Sequence, residues 1–527
     1  MQKIIRSLFL LGATLSLSGA IAQTGRYYEE VFTDVTKQAN VQYGTNFYFV
    51  PPITTDPGNP QQGPLLLDLY TPTGDVATNR PLVIYLHTGN FLPKYFNGGT
   101  GGSKEDSTAV EVCRRYAKRG FVAASVQYRL GWNPISSDPD VRRGTLLNAV
   151  YRAIHDAQTA VRFFKKSVDT GGNVYGVDTT KIALIGQGSG GYVSLAYVTL
   201  DRIEELQILK FVDANLQSYV NTAIVGNIDG TGGAVNTYNH PGYTNEVSMA
   251  VNLGGAIGDS SWLENTSKPI VSFHCPLDGF APFDQGIVIV PTTQETVVPV
   301  SGSKWIIKRS NEFGNNDIFA DATFNDAFSI AADARLASDF PNLSLDPALY
   351  KGLYPFIRPI IPISPFQESS PWEFWDSATV VNTVNAINQA TGSTLDGLGI
   401  HLQNLGTNPD MSRAKAFAYI DTIVGFATPR MIYAMGIDGV GINDINAKVS
   451  NIKVYPNPSA ADFTVQSTDG NKIENIRLFD VTGRVVMVRN YNASNMVTLE
   501  RGNLKNGVYM LEVSTKAGKA TQQIILQ

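Results

Sequence analysis

The chain has 527 residues, of which 43% are hydrophobic, 10% aromatic and only 17% charged, and its formal net charge is −5. This hydrophobic and aromatic content excludes a largely disordered chain. A slightly acidic balance gives no electrostatic basis for binding nucleic acid or an anionic membrane. Two cysteines in the whole chain exclude a disulfide scaffold and a zinc site built from paired cysteines.

Residues 1–22 have the pattern of a secretory signal peptide. Lys3 and Arg6 supply a positive start, Leu8–Ala20 is apolar, and Ala20-Ile21-Ala22 forms a small-residue cleavage site. The apolar stretch is shorter than the roughly 20 residues that a membrane-spanning helix needs. We therefore predict an exported protein without a transmembrane anchor.

Residues 23–435 alternate between strand-like and helix-like segments, with helices expected over Ser107–Lys118, Thr145–Lys166 and Ser412–Ala427. Buried strands that alternate with helices predict an α/β fold, in which helices cover both faces of a mostly parallel sheet. Ligands of such folds bind at the carboxyl ends of the strands. The predicted strands are Leu65–Tyr70, Leu82–His87, Phe121–Tyr128, Lys181–Gly186, Val247–Leu253 and Pro269–Cys275.

Several of these strands are followed by short motifs, which together span about residues 65–290. They are His87-Thr88-Gly89-Asn90-Phe91, Tyr128-Arg129-Leu130-Gly131, Gly186-Gln187-Gly188-Ser189-Gly190-Gly191 and the segment Phe273–Pro282. In combination they resemble the α/β-hydrolase superfamily, nearest its carboxylesterase-like branch. The resemblance implies an oxyanion loop at the first motif, with Gly89 and Asn90 as donors, and a nucleophile elbow at the third.

The elbow motif departs from the family pattern G-x-S-x-G, which has serine at the tip of a strained turn. If Gly186 and Gly190 are the flanking glycines, Gly188 is the tip and no hydroxyl is available for attack. If Ser189 is the tip, Gln187 takes a position where the packing calls for a small residue. We favour Gly188, and Ser189 stays open as a displaced nucleophile.

The acid and base positions of the family order Ser…Asp…His follow from the resemblance. Asp278 matches the acid, since an apolar strand precedes it and a Gly-x-x-Pro sequence follows. His401 is the one histidine downstream of Asp278, so it is the candidate base, although its local sequence matches poorly. An exposed loop histidine is an equally good interpretation.

Two hypotheses follow. The first is a carboxylesterase-like protein that has lost its nucleophile and acts as a pseudo-hydrolase or binding protein. The second is an active extracellular carboxylic ester hydrolase, of esterase or lipase type, using Ser189, Asp278 and His401, with Gly89, Asn90 and Gly190 as oxyanion donors. Either protein would take a small-molecule or polymeric ester-like ligand. The sequence indicates no cofactor and no metal site, because no His, Asp and Glu cluster has ligand spacing.

The segment 315–400 is longer than a minimal hydrolase requires, and we interpret it as an insertion. Its aromatic residues, including Trp372 and Trp375, are expected to pack against the body rather than bind ligand. Cys113 and Cys275 are expected to be buried free thiols.

From residue 451 to 527 the sequence changes to short alternating runs separated by turns, which predicts a small all-β sandwich. Lys453–Pro458, Leu478–Arg484 and Gly507–Tyr509 resemble motifs of the C-terminal sorting domain of type IX secretion cargo in Bacteroidota. The resemblance implies export through the inner membrane by the signal peptide and through the outer membrane by the type IX machinery, to the cell surface or the medium. Residues 436–450 are predicted to be the linker.

Overall fold

The structure is a computed structural model, and it describes most of the chain. The described residues are 25–49, 60–289, 296–320, 322, 324–339, 343–357, 368–437, 452–468, 470–480, 484–515 and 518–527. The predicted signal peptide and all but the first two residues of the predicted linker lie outside them.

An eight-stranded sheet forms the centre of the body, in the order β1-β2-β4-β3-β5-β6-β7-β10. The first two pairings in this order are antiparallel and the remaining five are parallel. The α/β class with a mostly parallel sheet is therefore confirmed. The strands are β1 (Val35–Phe49), β2 (Pro60–Pro72), β3 (Arg80–Leu86), β4 (Val122–Val126), β5 (Val177–Gln187), β6 (Met249–Leu253), β7 (Ile270–His274) and β10 (Leu353–Pro355), and β8 (Gln285–Ile289) and β9 (Thr296–Ser301) form a separate hairpin.

Helices cover both faces of this sheet. They are α1 (Ser107–Lys118), α2 (Pro139–Asp169), α3 (Ser189–Thr199), α4 (Thr222–Val225), α5 (Ser303–Glu312), α6 (Asp317–Ala320), α7 (Ala327–Leu336), α8 (Ser377–Thr391), α9 (Gly397–Thr407) and α10 (Arg413–Ala434). Along β3 the side chains alternate, so that Leu82 and Ile84 join a core with α2 and α3, and Val83 and Tyr85 join one with α1 and α10. All of these side chains are fully buried.

Helix α2 begins six residues before the predicted start, at Pro139 rather than Thr145. The carboxylate of Asp138 accepts a hydrogen bond from the amide of Asp140, and Pro139 occupies the first helical position. Both features favour a helix start, because they satisfy or remove donors that have no partner inside the helix. The early start adds residues 139–144 to the helix.

Part of the segment interpreted as an insertion belongs to the main sheet. Strand β10 pairs in parallel with β7, with Leu353 opposite Ser272 and Pro355 opposite His274. Its three residues are too few to show a hydrophobic period in the sequence. The carboxyl end of β10 therefore lies at the same edge of the sheet as the carboxyl ends of the other parallel strands.

The C-terminal segment is all-β, as predicted. Sheets β11-β12-β15 and β14-β13-β16-β17 are both antiparallel and enclose their own core. Phe479 and Met510 instead pack into the core of the body, where the Phe479 ring lies 5.4 Å from that of Phe328 on α7. The strands are β11 (Ile452–Tyr455), β12 (Phe463–Ser467), β13 (Ile473–Asp480), β14 (Val485–Ser494), β15 (Met496–Leu499), β16 (Gly507–Thr515) and β17 (Gly518–Leu526).

Two smaller expectations concern the cysteines and the membrane. Cys113 and Cys275 are both buried free thiols, as predicted. No helix in the described part of the chain is long and apolar enough to cross a membrane.

Candidate active site

A cavity of about 240 Å³ opens at the carboxyl ends of the parallel strands. One part of its wall is apolar and comes from α2, from the β8–β9 hairpin and from neighbouring loops. The other part is polar, and most of its residues come from the loops that follow strands. The apolar part includes Leu146, Leu147, Val150, Trp262, Val297 and Val300, and the polar part includes Thr88, Gly188, Ser189, Asp278 and Glu373.

Gly188 lies at the turn between β5 and α3, with φ 52° and ψ −115°. Residues with a side chain rarely adopt such a positive φ. A Cβ atom at this position would lie within 3.0 Å of Thr88 Oγ1, closer than real Cβ atoms come to a neighbour. The Thr88 hydroxyl therefore occupies space that a side chain at position 188 would need.

Glycines two positions on either side of Gly188 allow close packing of the turn. A Cβ on Gly186 would meet the carbonyl oxygen of Gly190, and a Cβ on Gly190 would meet that of Leu86, both well within 3.0 Å. Gln187, by contrast, carries a long buried side chain that hydrogen-bonds to Tyr85 and Glu373. Its position is therefore one that accommodates a large residue, in line with the spacing that puts Gly188 at the tip.

Ser189 is the first residue of α3, and its side chain is directed to Tyr128. The Tyr128 hydroxyl donates to the carbonyl of His87 at 2.7 Å and lies 3.1 Å from Ser189 Oγ. Because a tyrosine hydroxyl has a single hydrogen, Ser189 is the donor in the second bond. The serine hydroxyl thus gives its hydrogen to a tyrosine and not to a histidine.

Asp278 follows β7, and its side chain is only 5% exposed. Its Oδ1 accepts hydrogen bonds from the amides of Phe280 and Ala281, at 2.7 and 3.1 Å. Burial raises the pKa of this carboxyl group to about 7, against the effect of the two amides. Asp278 is therefore a carboxyl group that titrates near neutral pH at the polar end of the cavity.

His401 and His274 both have hydrogen-bond partners other than Ser189. His401 lies on α9, and its Nδ1 accepts a hydrogen bond from the indole of Trp375 at 3.0 Å. His274 has its Nε2 3.8 Å from Asp278 Oδ2, but this nitrogen lies 3.0 Å from the carbonyl of Ala281 and Nδ1 lies 2.7 Å from Ser303 Oγ. Among the described residues that line the cavity there is no histidine.

Glu373 is a cavity residue that the sequence analysis did not single out. It follows β10, and its Oε1 accepts a hydrogen bond from Gln187 Nε2 at 2.7 Å. Burial is the main cause that raises its pKa to about 8, and the neighbouring carboxylate of Asp106 adds to the effect. The one signal in the sequence was a single carboxylate among three aromatic residues, Trp372, Phe374 and Trp375.

The predicted oxyanion donors differ in availability. The carbonyl of Gly89 accepts bonds from Leu92 and Asn97, and that of Asn90 accepts one from the Trp132 indole. The bonds to the Gly89 carbonyl fix the peptide group that carries the Asn90 amide, and the amides of Gly89 and Asn90 have no acceptor within the described residues. The amide of Gly190 is different, since it donates to the carbonyl of His87 at 3.1 Å.

In the part of the chain that the structure describes, no group of three or more His, Cys, Asp or Glu side chains could hold a metal ion. The polar end of the cavity thus offers hydroxyl, carboxyl and amide groups. Such groups can bind a carbonyl oxygen, position a water molecule and move a proton.

Family models match two parts of the chain. Residues 67–310 match BD-FAE, and residues 453–527 match the secretion system C-terminal sorting domain. The body carries an esterase-like α/β-hydrolase domain. Its C-terminal partner is a sorting domain, which indicates handling by the type IX secretion machinery and export to the cell surface or the medium.

Curated relatives cover only part of this chain. An endo-acting ulvan lyase of Formosa agariphila is 23% identical over 83 residues, which are 16% of this chain and 16% of that protein. A probable N-octanoylanthranilate hydrolase of Rhodococcus erythropolis is 24% identical over 216 residues, which are 35% of this chain and 43% of that protein. The chain thus spans less than half the length of either relative.

Solved structures of esterases resemble part of the chain. Esterase B of Lactobacillus rhamnosis is 18% identical, with 43% of this chain and 49% of that chain covered and a TM-score of 0.22. Esterase 2 of Thermogutta terrifontis, phosphonylated by cyclosarin, is 17% identical, with 47% and 73% covered and a TM-score of 0.27.

Proposed function

We propose that this exported esterase-like protein binds an ester-type ligand in its cavity and forms no acyl-serine intermediate at the elbow. The observation that carries the proposal is Gly188, which holds the tip of the strand-to-helix turn with φ 52°. A glycine supplies no hydroxyl, and the Thr88 oxygen fills the adjacent space. In the terms of the serine hydrolases, the site is then a pseudo-hydrolase.

The ligand class follows from the two parts of the cavity wall. The apolar part suits an acyl or alkyl chain, because burying such a chain against Leu147, Val150 and Val297 is favourable. The amides of Gly89 and Asn90 suit a carbonyl oxygen at the polar end. A small carboxylic ester, free or attached to a polymer, has both parts.

The alternative is ester hydrolysis by Ser189, Asp278 and His401. It needs a hydrogen-bonded path from the serine through a histidine to the carboxylate. The contacts of Ser189 with Tyr128 and of His401 with Trp375 do not favour such a path.

The test combines labelling with binding. Ethyl butyrate is titrated while the fluorescence of Trp132 and Trp262, which line the cavity, is followed. A fluorophosphonate, which phosphonylates activated serines with loss of fluoride, is then incubated with the wild type and with Ser189→Ala. We expect a saturable fluorescence change and no label on the wild type beyond that of Ser189→Ala. Label that depends on Ser189, or the absence of saturable binding, contradicts the proposal.

A further inference from the structure

Parallel strands of the sheet end at the polar part of the cavity, and residues after them line it. Thr88 follows β3, Gly188 follows β5, Gly254 follows β6 and Asp278 follows β7, whereas Glu373 comes 18 residues after the end of β10. The carboxyl ends of parallel strands lie at one edge of a sheet, so the first four residues share one rim. Glu373 lines the same cavity. Glu373 is the member of this set for which neither the sequence nor the family resemblance gave a role.

Glu373 is held in place by buried polar groups. Gln187 Nε2 donates to its Oε1 at 2.7 Å, and the Tyr85 hydroxyl donates to Gln187 Oε1 at 2.5 Å. Tyr85 and Gln187 are 0% and 1% exposed, so the support lies inside the protein. A carboxyl group that is fixed by such a chain has a defined orientation.

The two carboxyl oxygens of Glu373 differ in their hydrogen bonds. Within the described residues, Oε2 accepts no hydrogen bond, although the side chain lines the cavity. Thr88 and Glu373 both lie close to Gly101, where an added Cβ would be 2.9 Å from Thr88 Cγ2 and 3.5 Å from Glu373 Oε1. Glu373 is therefore near the oxyanion loop, and its Oε2 is available to a water molecule in the cavity.

We propose that Glu373 is a general base that activates a water molecule for direct hydrolysis of a carboxylic ester bound in this cavity. The inference rests on the proposed function, since it requires the same ester ligand at the same place. It replaces the covalent route by a single addition of water.

The reaction balances without a cofactor. Glu373 Oε2 accepts a proton from water while the water oxygen forms a bond to the carbonyl carbon. The amides of Gly89 and Asn90 stabilise the negative charge on the former carbonyl oxygen. The intermediate then breaks its bond to the alcohol oxygen, which takes the proton from Glu373. An acid and an alcohol leave, and Glu373 returns to the carboxylate.

The charges around Glu373 suit this role at mildly alkaline pH. Burial, Asp106 and Asp278 raise its pKa to about 8, whereas Lys94 and the hydrogen bond from Gln187 oppose them. Lys94 is itself paired with Asp106, at 2.9 Å. A carboxylate with a raised pKa is a stronger base than an ordinary one, and it transfers protons well near its own pKa.

The experiment measures p-nitrophenyl butyrate hydrolysis by the full chain. We expect slow turnover without a burst phase, a kcat/KM that rises with pH to a plateau above about 8, and a loss of about 100-fold or more in Glu373→Gln. The matched control is Glu105→Gln, at an exposed glutamate that does not line the cavity, which should keep wild-type activity. Glu373→Asp, which keeps a carboxylate, should retain the pH profile at a lower rate.

The outcomes separate the two proposals. Saturable binding of ethyl butyrate without any turnover overturns the role of Glu373 and leaves the proposed function standing. Absence of binding overturns the proposed function. A burst phase also overturns the role of Glu373. So does a kcat/KM of Glu373→Gln equal to that of the wild type, provided that the variant is folded and still binds ethyl butyrate. If Glu373→Gln does not fold, Glu373→Asp decides, since a wild-type rate there is incompatible with a positioned base.

Gln187 is the positioning residue in this scheme, and its test is a pH profile. Its amide stabilises the charged form of Glu373, so Gln187→Leu should raise the pKa of that carboxyl group further. The rise in kcat/KM should then move to higher pH. A purely structural role of Gln187 would lower the rate at every pH and leave the profile in place.

Discussion

Thr88 and Gly188 are adjacent at the rim of the sheet, and the small size of one matches the position of the other's side chain. The glycine leaves room for the threonine hydroxyl, and that hydroxyl excludes a side chain at position 188. Asp278 and Glu373 face the same cavity as carboxyl groups whose pKa values are raised by burial. At the scale of single residues, the tip of the strand-to-helix turn is a glycine, and two carboxyl groups of the cavity titrate close to neutral pH.

The contact between Thr88 and position 188 can be measured as a coupling free energy. Gly188→Ala should lower the free energy of unfolding by about 1–3 kcal/mol from backbone strain alone, with a further loss from the clash with Thr88 Oγ1. Thr88→Ala removes that oxygen, so the double variant should lose less than the sum of the single variants. Chemical denaturation measures all three.

Gly74→Ala is the matched control for backbone strain. Gly74 also has a positive φ, of 78°, but nothing lies within 4 Å of an added Cβ. The loss in stability caused by Gly74→Ala should be the same in the presence and absence of Thr88→Ala. Strictly additive losses for Gly188→Ala and Thr88→Ala would show that the contact has no energetic weight.

The raised pKa of Glu373 also predicts how stability depends on pH. The folded protein holds a proton up to about pH 8 that the unfolded chain loses near its ordinary value of 4.5. The free energy of unfolding therefore falls as the pH rises through that window. Glu373→Gln cannot ionise, so its melting temperature should fall less than that of the wild type between about pH 5 and about pH 9. An equal fall in both proteins contradicts the raised pKa.

Some residues of this site could be predicted from the sequence, and others could not. Gly188, Ser189 and Asp278 each follow a strand long enough to recognise, so their motifs could be placed. Glu373 lies 18 residues after a strand of only three residues, and its support comes from Gln187, which is 186 residues away in the chain. Contacts of that separation leave no local pattern. The partner of His401 could not be predicted for the same reason.

Two elements shape the apolar part of the cavity, namely helix α2 and the β8–β9 hairpin. Arg143 Nε on α2 donates to the carbonyl of Val297 on β9 at 2.9 Å, which joins the two walls. The hydrophobic spacing predicts the long α2, but not its first six residues, because the helix start depends on the Asp138 cap. At this scale the sequence predicted the main helices and strands well, and it missed the pairing of β10 with β7.

Narrowing this wall should reduce ligand affinity. Val150 lines the cavity from α2, and Val150→Phe adds volume there. We expect the affinity for ethyl butyrate to fall about tenfold or more, which corresponds to about 1.4 kcal/mol. Val174→Phe is the control, because Val174 is 74% exposed and lies outside the cavity wall. Equal affinity in the two variants would show that the ligand does not use this wall.

The whole molecule combines an α/β body with an all-β sorting domain, and both were predicted from their motifs. The sequence did not predict the contact between them. Phe479 and Met510 are 1% and 7% exposed because they pack on the body. Lys519 Nζ of the sorting domain also lies 3.3 Å from Glu29 Oε1 of the body. The sorting domain therefore has a core of its own and two residues that belong to the core of its neighbour.

The contact of Phe328 with Phe479 should contribute to stability. A double-mutant cycle with Phe328→Ala and Phe479→Ala in the full chain is expected to give a coupling of about 0.5–1.5 kcal/mol, because the two rings meet edge to face. Phe328→Ala combined with Val488→Ala, at a side chain of the sorting domain that is 46% exposed, should show no coupling. Equal coupling in both cycles would contradict a specific contact.

The pairing of Thr88 with Gly188 also has an evolutionary consequence. A codon change that placed serine at position 188 would bring its side chain against the threonine oxygen. A change at Thr88 would make room for that side chain, but by itself it supplies no nucleophile. The genetic distance from this sequence to a well-packed serine at the tip of the turn is therefore at least two substitutions.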